Sequence, residues 1–158
     1  MSFLGKIMIL LILFQTQETR PLKEQIKEDK SPIEIKAKRL KIENQNKKAT
    51  FSDNVVVTRS DMKMTCDLLM AFYNENGKIE KFECIGNVKL TKGERVATSN
   101  KAVYDNRSST VIMTGNPYYS DGENRFWGDV VDYDLENDVV NVKNIKAVVK
   151  IKGQKEKK

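Results

Sequence analysis

Four asparagines recur at nearly regular spacing, and this repeat constrains the fold more than any other feature of the chain. The intervals are 33, 29 and 28 residues, between Asn54, Asn87, Asn116 and Asn144. Upstream of each asparagine the alternate positions are apolar, as in Phe82-Glu-Cys84, and only Asn141 breaks the rule. This period-two alternation is typical of a β-strand with one dry face. Units of about thirty residues predict a stacked array, because no single unit can bury its apolar face alone.

A second element lies upstream in each unit and consists of a small residue followed by a polar one. The four pairs are Ala37-Lys38, Cys66-Asp67, Ser99-Asn100 and Gly128-Asp129. At each pair the alternation of apolar and polar residues is displaced by one position. Such a displacement sends the following apolar side chains to the opposite face of the sheet unless the strand bends there. We therefore predict a bulge or a corner at all four pairs.

Turn-forming residues separate the two elements within each unit and also separate neighbouring units. Asn74-Glu-Asn-Gly77 illustrates the first kind of turn and Lys92-Gly-Glu94 the second. Each unit is therefore predicted to be a β-hairpin, joined to the next by a tight turn. The predicted fold class is all-β, with stacked antiparallel hairpins forming an open jellyroll-like β-taco around an apolar interior.

The composition excludes several classes of function. The chain has no histidine among its 158 residues, and Cys66 and Cys84 are its only cysteines. The commonest general base and metal ligand are therefore missing, and no nucleotide-binding or hydrolase motif is present. The net charge of +6 is not accompanied by any nucleic-acid recognition motif. We expect no enzyme, metal, cofactor or nucleic-acid partner; the charge suits either phosphate-rich lipid headgroups or an ordinary solvated surface.

The amino terminus predicts export to the periplasm. An apolar run over residues 7–14 follows Lys6; as a helix it would span about 12 Å, far short of the roughly 30 Å hydrocarbon core. We interpret residues 1–16 as a signal peptide, 17–31 as a flexible linker, 32–152 as the folded domain and 153–158 as a basic tail. The region after the run lacks a small-x-small cleavage pattern, so a retained membrane anchor remains the alternative.

Four segments of the domain resemble the OstA-like family, to which LptA-like bridge proteins of lipopolysaccharide transport belong. They are Pro32-Ile-Glu-Ile35, Gly86-Asn-Val88, Gly115-Asn-Pro-Tyr118 and Trp127-Gly-Asp-Val-Val-Asp-Tyr133. The resemblance implies a carrier that shields the acyl chains of lipopolysaccharide and passes them from the inner to the outer membrane for outer-membrane assembly. The first and fourth units depart from the pattern, with Asp53 and Lys143 in place of glycine. Two alternatives stay open: a membrane-anchored LptC-like component of the same pathway, and a structural β-array without a ligand.

Alternation assigns sixteen side chains to the interior, and therefore to the lipid-binding groove that the resemblance implies. They are Ile33, Ile35, Phe51, Val55, Val57, Met64, Leu69, Phe82, Val88, Leu90, Tyr104, Met113, Tyr119, Phe126, Val131 and Tyr133. Methionine and aromatic side chains adapt well to an irregular guest. The alternative is that these side chains only fill a dry core.

An open array leaves unpaired strands at its two ends, and such edges invite pairing with another chain. We expect head-to-tail self-association, and contacts with related domains of the inner- and outer-membrane transport components. The residues expected at these contacts are Ile33, Glu34, Ile35, Lys36, Ile145, Lys146, Ala147, Val148 and Val149.

The two cysteines lie on the two predicted strands of one hairpin, nearly symmetric about the turn at residues 74–77. Residues symmetric about a turn face each other across the strands. A disulfide between Cys66 and Cys84 is therefore possible in an oxidising compartment. Two buried free thiols are the alternative, because the centre of symmetry misses the middle of the turn by half a residue.

Overall fold

The computed structural model describes residues 31–151, which form twelve β-strands and one short 3₁₀ turn, Asn44–Asn46. The strands are β1 Glu34–Lys36, β2 Arg39–Glu43, β3 Lys48–Arg59, β4 Met62–Tyr73, β5 Ile79–Lys92, β6 Arg95–Asp105, β7 Thr110–Thr114, β8 Tyr118–Ser120, β9 Arg125–Trp127, β10 Val130–Asp134, β11 Val139–Lys143 and β12 Lys146–Val148. Within residues 31–151 no helix is long and apolar enough to cross a membrane. The predicted signal peptide, the basic tail and all of the predicted linker except Ser31 lie outside the described residues.

All neighbouring strands are antiparallel, and together they form one continuous sheet that folds over into two layers. The first layer has the order β2-β3-β4-β5-β6-β7-β10-β11, and the second has the order β1-β3-β4-β5-β6-β8-β9-β12. The long strands β3 to β6 belong to both layers, because each of them bends midway. We call the bent side of the molecule the corner side, and the opposite side, where the turns of the two layers approach each other, the seam.

The chain changes layer at all four small-polar pairs, so the predicted corners are confirmed. The changes occur between β1 and β2, within β4, within β6 and between β9 and β10. The extra residue of each register shift, however, lies in the asparagine-containing strand. Asp53 and Asn54 oppose only Asp67, and Gly86 and Asn87 oppose only Asn100. The asparagine element therefore forms the bulge, and the small-polar pair supplies the single residue opposite it.

Backbone conformation explains why asparagine recurs at the corners. Asn54, Asn87, Asn116 and Asn144 all have positive φ, at 54°, 47°, 56° and 52°. Asparagine tolerates this left-handed conformation better than most residues. Gly86 also has positive φ, at 79°, and a Cβ there would lie 2.4 Å from Oδ2 of Asp67. In the first unit Asp53 adopts the same conformation at 66° and forms a salt bridge with Arg39.

Candidate lipid-binding interior

The strand register aligns inward-facing side chains into three rows that run across the layers. In the first layer, the row nearer the corners is Leu40, Phe51, Leu69, Cys84, Ala102, Met113, Val131 and Val142. The row nearer the seam is Ile42, Ala49, Ala71, Phe82, Tyr104, Val111, Tyr133 and Val140. The second layer contributes the row Ile35, Val57, Met64, Leu90, Ala97, Tyr119, Phe126 and Ala147, and nearer the corners it also buries the pairs Val55–Cys66 and Val88–Ser99. These rows face one another and form a single apolar core.

All sixteen residues predicted for the groove line or border this interior. The fully buried ones are Val55, Val57, Met64, Leu69, Phe82, Val88, Leu90, Tyr104, Met113, Val131 and Tyr133. Ile33, Ile35, Phe51 and Tyr119 are half-buried and pack against the core, and Phe126 stacks on Tyr119 with ring centroids 5.8 Å apart. The prediction omitted other inward residues that share the same alternation, such as Ala71, Ala97 and Val111. Lipid binding by this set remains a prediction.

The interior is filled by its own side chains. One cavity of about 30 Å³ lies near the seam, between Ile33, Met62, Met64, Phe82 and Tyr104 among others. A space of this size holds about one or two water molecules. An acyl chain could therefore enter only if side chains move or the two layers part. In the conformation described, the inward side chains pack against one another, and the choice between a lipid groove and a dry core stays a prediction.

The interior is open at both ends of the array. Leu40 and Ile42 face inward from β2, yet they are 54% and 57% exposed because, among residues 31–151, no strand lies beyond β2 in its layer. At the other end Val149, just beyond β12, is 58% exposed. The predicted contact residues of β1 and β12 do lie on the two edge strands of the second layer. The first layer has its own edges, β2 and β11, which were not included in that prediction.

At the seam the second layer presents cations where the inward row ends. Arg59, Lys92 and Arg95 each lie two residues beyond a buried residue of that row, namely Val57, Leu90 and Ala97. Arg59 Nη1 donates to the Tyr104 hydroxyl at 3.2 Å.

Arg95 Nη1 similarly donates to the Tyr133 hydroxyl at 3.2 Å and to Asp138 Oδ1 at 2.5 Å. Lys92 Nζ lies 3.3 Å from the same carboxylate oxygen. These contacts join the second layer to the first layer across the seam.

Asp138 is ionised and Tyr133 protonated in this cluster. Hydrogen bonds from Arg95 and from the Tyr133 hydroxyl hold the pKa of the Asp138 carboxyl well below its usual range. Burial, reinforced by the hydrogen bond to Asp138, raises the pKa of Tyr133. The hydroxyl donates to Asp138 Oδ1 at 2.5 Å, a length typical of a charge-assisted hydrogen bond.

The cysteines do not face each other across their hairpin, so that part of the prediction is wrong. Leu69 lies opposite Cys84, and Val55 lies opposite Cys66. The reason is that the hairpin is centred later in the chain than the turn residues indicate: Tyr73 pairs with Ile79, an unpaired Glu80 moves the centre further, and Cys66 lies within the register shift at the corner. Both side chains are buried free thiols, and Cys66 Sγ donates to the Leu68 carbonyl at 3.3 Å. A hydrogen bond to Cys66, together with burial, raises the pKa of the Cys84 thiol.

A family model described as LptA/(LptD N-terminal domain) LPS transport protein matches residues 34–139. The chain is also 26% identical over 106 residues to an uncharacterized protein of Rhizobium meliloti (strain 1021). That alignment covers 61% of this chain and 57% of the relative, so the chain spans little more than half the length of that curated protein.

Among solved structures, the fold is similar to that of LptH from Pseudomonas aeruginosa, described as the LptA-homologous periplasmic component of the lipopolysaccharide transport device. The TM-score is 0.69 at 19% identity, over 78% of this chain and 98% of the other. At this identity the match bears on the fold alone. It confirms the predicted all-β jellyroll.

Proposed function

The chain belongs to the family of LptA and LptD N-terminal-domain lipopolysaccharide transport proteins, and from this premise we propose that it is a periplasmic carrier that shields lipopolysaccharide acyl chains. Membership confirms the family resemblance seen in the sequence. The family consists of transport proteins, which agrees with the expectation of a protein without catalytic activity. Shielding, bridging and the periplasmic location are the parts we propose.

The observation that carries the proposal is the continuous apolar interior that is open at both ends. Three rows of inward side chains run the full length of the described array, and the terminal members Leu40 and Ile42 are exposed to solvent. Each buried acyl CH₂ contributes about 0.8 kcal/mol, so a chain of about a dozen carbons could contribute roughly 10 kcal/mol. Part of this gain is offset by the cost of displacing the side chains that now fill the space.

The edge strands support the bridging part of the proposal. In the part of the chain that the structure describes, each end of the array has one edge strand per layer, β1 and β2 at one end and β11 and β12 at the other. A second copy that adds its strands to these edges would extend both layers and align the two interiors. Exposed inward residues such as Ile42 of one copy would then meet those of the next, such as Val149. Related domains of the inner- and outer-membrane components could add to the same edges.

Two adjacent tyrosines provide a matched test of lipid shielding. Tyr119 faces the interior, whereas Tyr118 faces outward against Trp127 with ring centroids 5.4 Å apart; both are half-buried. Benzoylphenylalanine at Tyr119 should crosslink lipopolysaccharide in cells, whereas the same group at Tyr118 should not. A second pair, Phe82 inward and Lys89 outward on β5, repeats the comparison. Equal capture at inward and outward positions would overturn the proposal.

The filled interior favours one other function, a structural β-array without a ligand. The interior cavity near the seam has a volume of about 30 Å³, far smaller than the roughly 300–1,000 Å³ of ordinary ligand sites. Failure to capture lipid at either inward position would favour this alternative. The mass of the mature amino terminus decides separately between a released carrier and a membrane-anchored LptC-like component, for which Met1 would be retained.

A further inference from the structure

Two cations occupy inward positions at the seam that the alternation would assign to apolar residues. Lys92 and Arg95 are directly opposite each other on β5 and β6, in phase with the buried residues Leu90 and Ala97. Charged groups in such positions are costly unless they are paired. Departures from the local pattern of this kind concentrate at functional sites.

The pairing at this position is incomplete. Within residues 31–151, Asp138 is the one carboxylate within ion-pair distance of either cation, at 3.3 Å from Lys92 Nζ and 2.5 Å from Arg95 Nη1. Both cations therefore share a single negative charge. The Lys92 and Arg95 side chains are 27% and 37% exposed, so they are partly shielded from solvent yet reachable from it.

We propose that Lys92 and Arg95 form a binding site for the anionic headgroup of an amphiphile whose hydrocarbon lies in the interior. The Asp138 carboxylate contacts both cations in the structure and is displaced when the headgroup binds. The inference rests on the proposed function, because it requires a hydrocarbon guest in the interior. The headgroup chemistry that fits is phosphate or carboxylate, which arginine binds through paired N–H donors.

The strand geometry places the two cations where the polar end of a hydrocarbon chain bound in the interior would lie. Lys92 follows the buried Leu90 by two residues, which is about 7 Å along an extended strand. A hydrocarbon chain that packs against Leu90 and Ala97 would therefore bring its polar end to the two cations. The aromatic ring of Tyr133 lies 5.9 Å from Lys92 Nζ and forms the opposite wall.

Headgroup binding is coupled to opening of the seam. Asp138 lies in the turn between β10 and β11 of the first layer, whereas Lys92 and Arg95 belong to the second layer. Exchange of the carboxylate for an external anion removes an ionic contact between the layers. Near the Ile33 end of the seam, an open cleft of about 390 Å³ already shares Ile33 and Arg59 with the interior cavity.

The test compares two amphiphiles with the same tail, dodecyl phosphate and dodecyl maltoside, and inorganic phosphate alone. Binding to the full chain is measured by isothermal titration calorimetry below the micelle concentration of each amphiphile. The double substitution Lys92→Gln and Arg95→Gln should weaken dodecyl phosphate binding at least about tenfold, the loss expected for charge-assisted contacts. Its affinity for dodecyl maltoside should be unchanged, which also shows that the variant is folded.

Two further variants complete the design. Asp138→Asn removes the internal competitor and should tighten binding of dodecyl phosphate without changing that of dodecyl maltoside. Lys89→Gln is the matched control, because Lys89 is exposed on the outward face of the same strand.

The outcomes separate this inference from the proposed function. If the double variant binds dodecyl phosphate as tightly as the wild type does, the headgroup site is overturned and the carrier function stands. If inorganic phosphate binds as tightly as dodecyl phosphate, the site is one for free phosphate and the headgroup assignment is overturned. If neither amphiphile binds the wild type, the proposed function and the inference both fail.

Discussion

Asn87 donates a hydrogen bond from Nδ2 to Oδ2 of Asp67 at 2.7 Å, across the corner where β4 and β5 pass from one layer to the other. Asn144 makes the same contact with Asp129 at 2.6 Å in the fourth unit. Asn87 and Asn144 therefore combine two roles, a left-handed backbone and a side-chain bond to the polar residue of the small-polar pair. Its repetition reflects the repetition of corners.

Two substitutions at Asn87 separate these roles. Asn87→Gly keeps the freedom to adopt positive φ and loses the bond to Asp67, so we expect a loss of about 1 kcal/mol in the free energy of unfolding. Asn87→Ala loses the same bond and, unlike glycine, carries a Cβ that disfavours the left-handed conformation. It should therefore lower the free energy of unfolding by about 0.5–1 kcal/mol more than Asn87→Gly does. Urea unfolding followed by circular dichroism measures both. An equal loss in the two variants would show that the backbone conformation contributes little.

Acid stability should depend on Asp138. Its pKa is lower in the folded than in the unfolded protein because Arg95 and Tyr133 stabilise the carboxylate. Its contribution is therefore present above the unfolded value of about 3.9 and disappears as the pH falls through the lower folded pKa. Asp138→Asn should lower the free energy of unfolding by about 1 kcal/mol at pH 7, since the side chain is 42% exposed and solvent screens it.

The same variant should show a smaller loss of stability than the wild type between pH 5 and pH 2, measured by thermal unfolding. Asp61→Asn is the control, because Asp61 is an exposed residue of the β3–β4 turn, whereas the carboxylate that Lys92 and Arg95 contact is that of Asp138. Parallel pH profiles for Asp138→Asn and the wild type would contradict the role of the seam ion pair.

The thiols should be free and slow to react in the folded protein. Both are buried, and the register places neither cysteine opposite the other. Hydrogen bonding to Cys66 and burial raise the pKa of Cys84, which reduces its thiolate fraction, whereas the same hydrogen bond lowers the pKa of Cys66, so burial alone slows the reaction of Cys66. Labelling of unreduced, unfolded protein should find two thiols per chain, and labelling of native protein should be much slower. Absence of free thiols after unfolding would instead establish the disulfide.

Self-association should depend on the last strand. Removal of residues 145–158 deletes β12 and exposes β9 as a new edge, so head-to-tail pairing through the original edge is lost. We expect a lower weight-average mass in light scattering. Removal of residues 153–158 alone is the control, because it deletes the predicted basic tail and leaves β12 in place. If the longer deletion leaves the mass unchanged, the chain associates through another surface.

Much of the architecture could be predicted from the sequence. Alternation with period two, the turn residues and the repeated asparagines are local signals, and each depends only on residues close together in the chain. They identified the all-β class, the four corners and the inward phase of residues such as Leu69 and Met113. The register of the hairpin containing Cys66 and Cys84 could not be predicted, because the centre of the turn and two register shifts, at Glu80 and at the corner, together decide which residues pair.

The sequence by itself determined which side chains face inward and where the chain turns, since strand pleating and turn chemistry are set by neighbouring residues. Only the tertiary structure decided what those side chains meet. Arg95 and Asp138 are 43 residues apart and belong to different layers, and they become partners because the sheet folds over until the two layers touch at the seam. The same closure determines that the interior is filled, because the distance between the layers depends on all the packed side chains together.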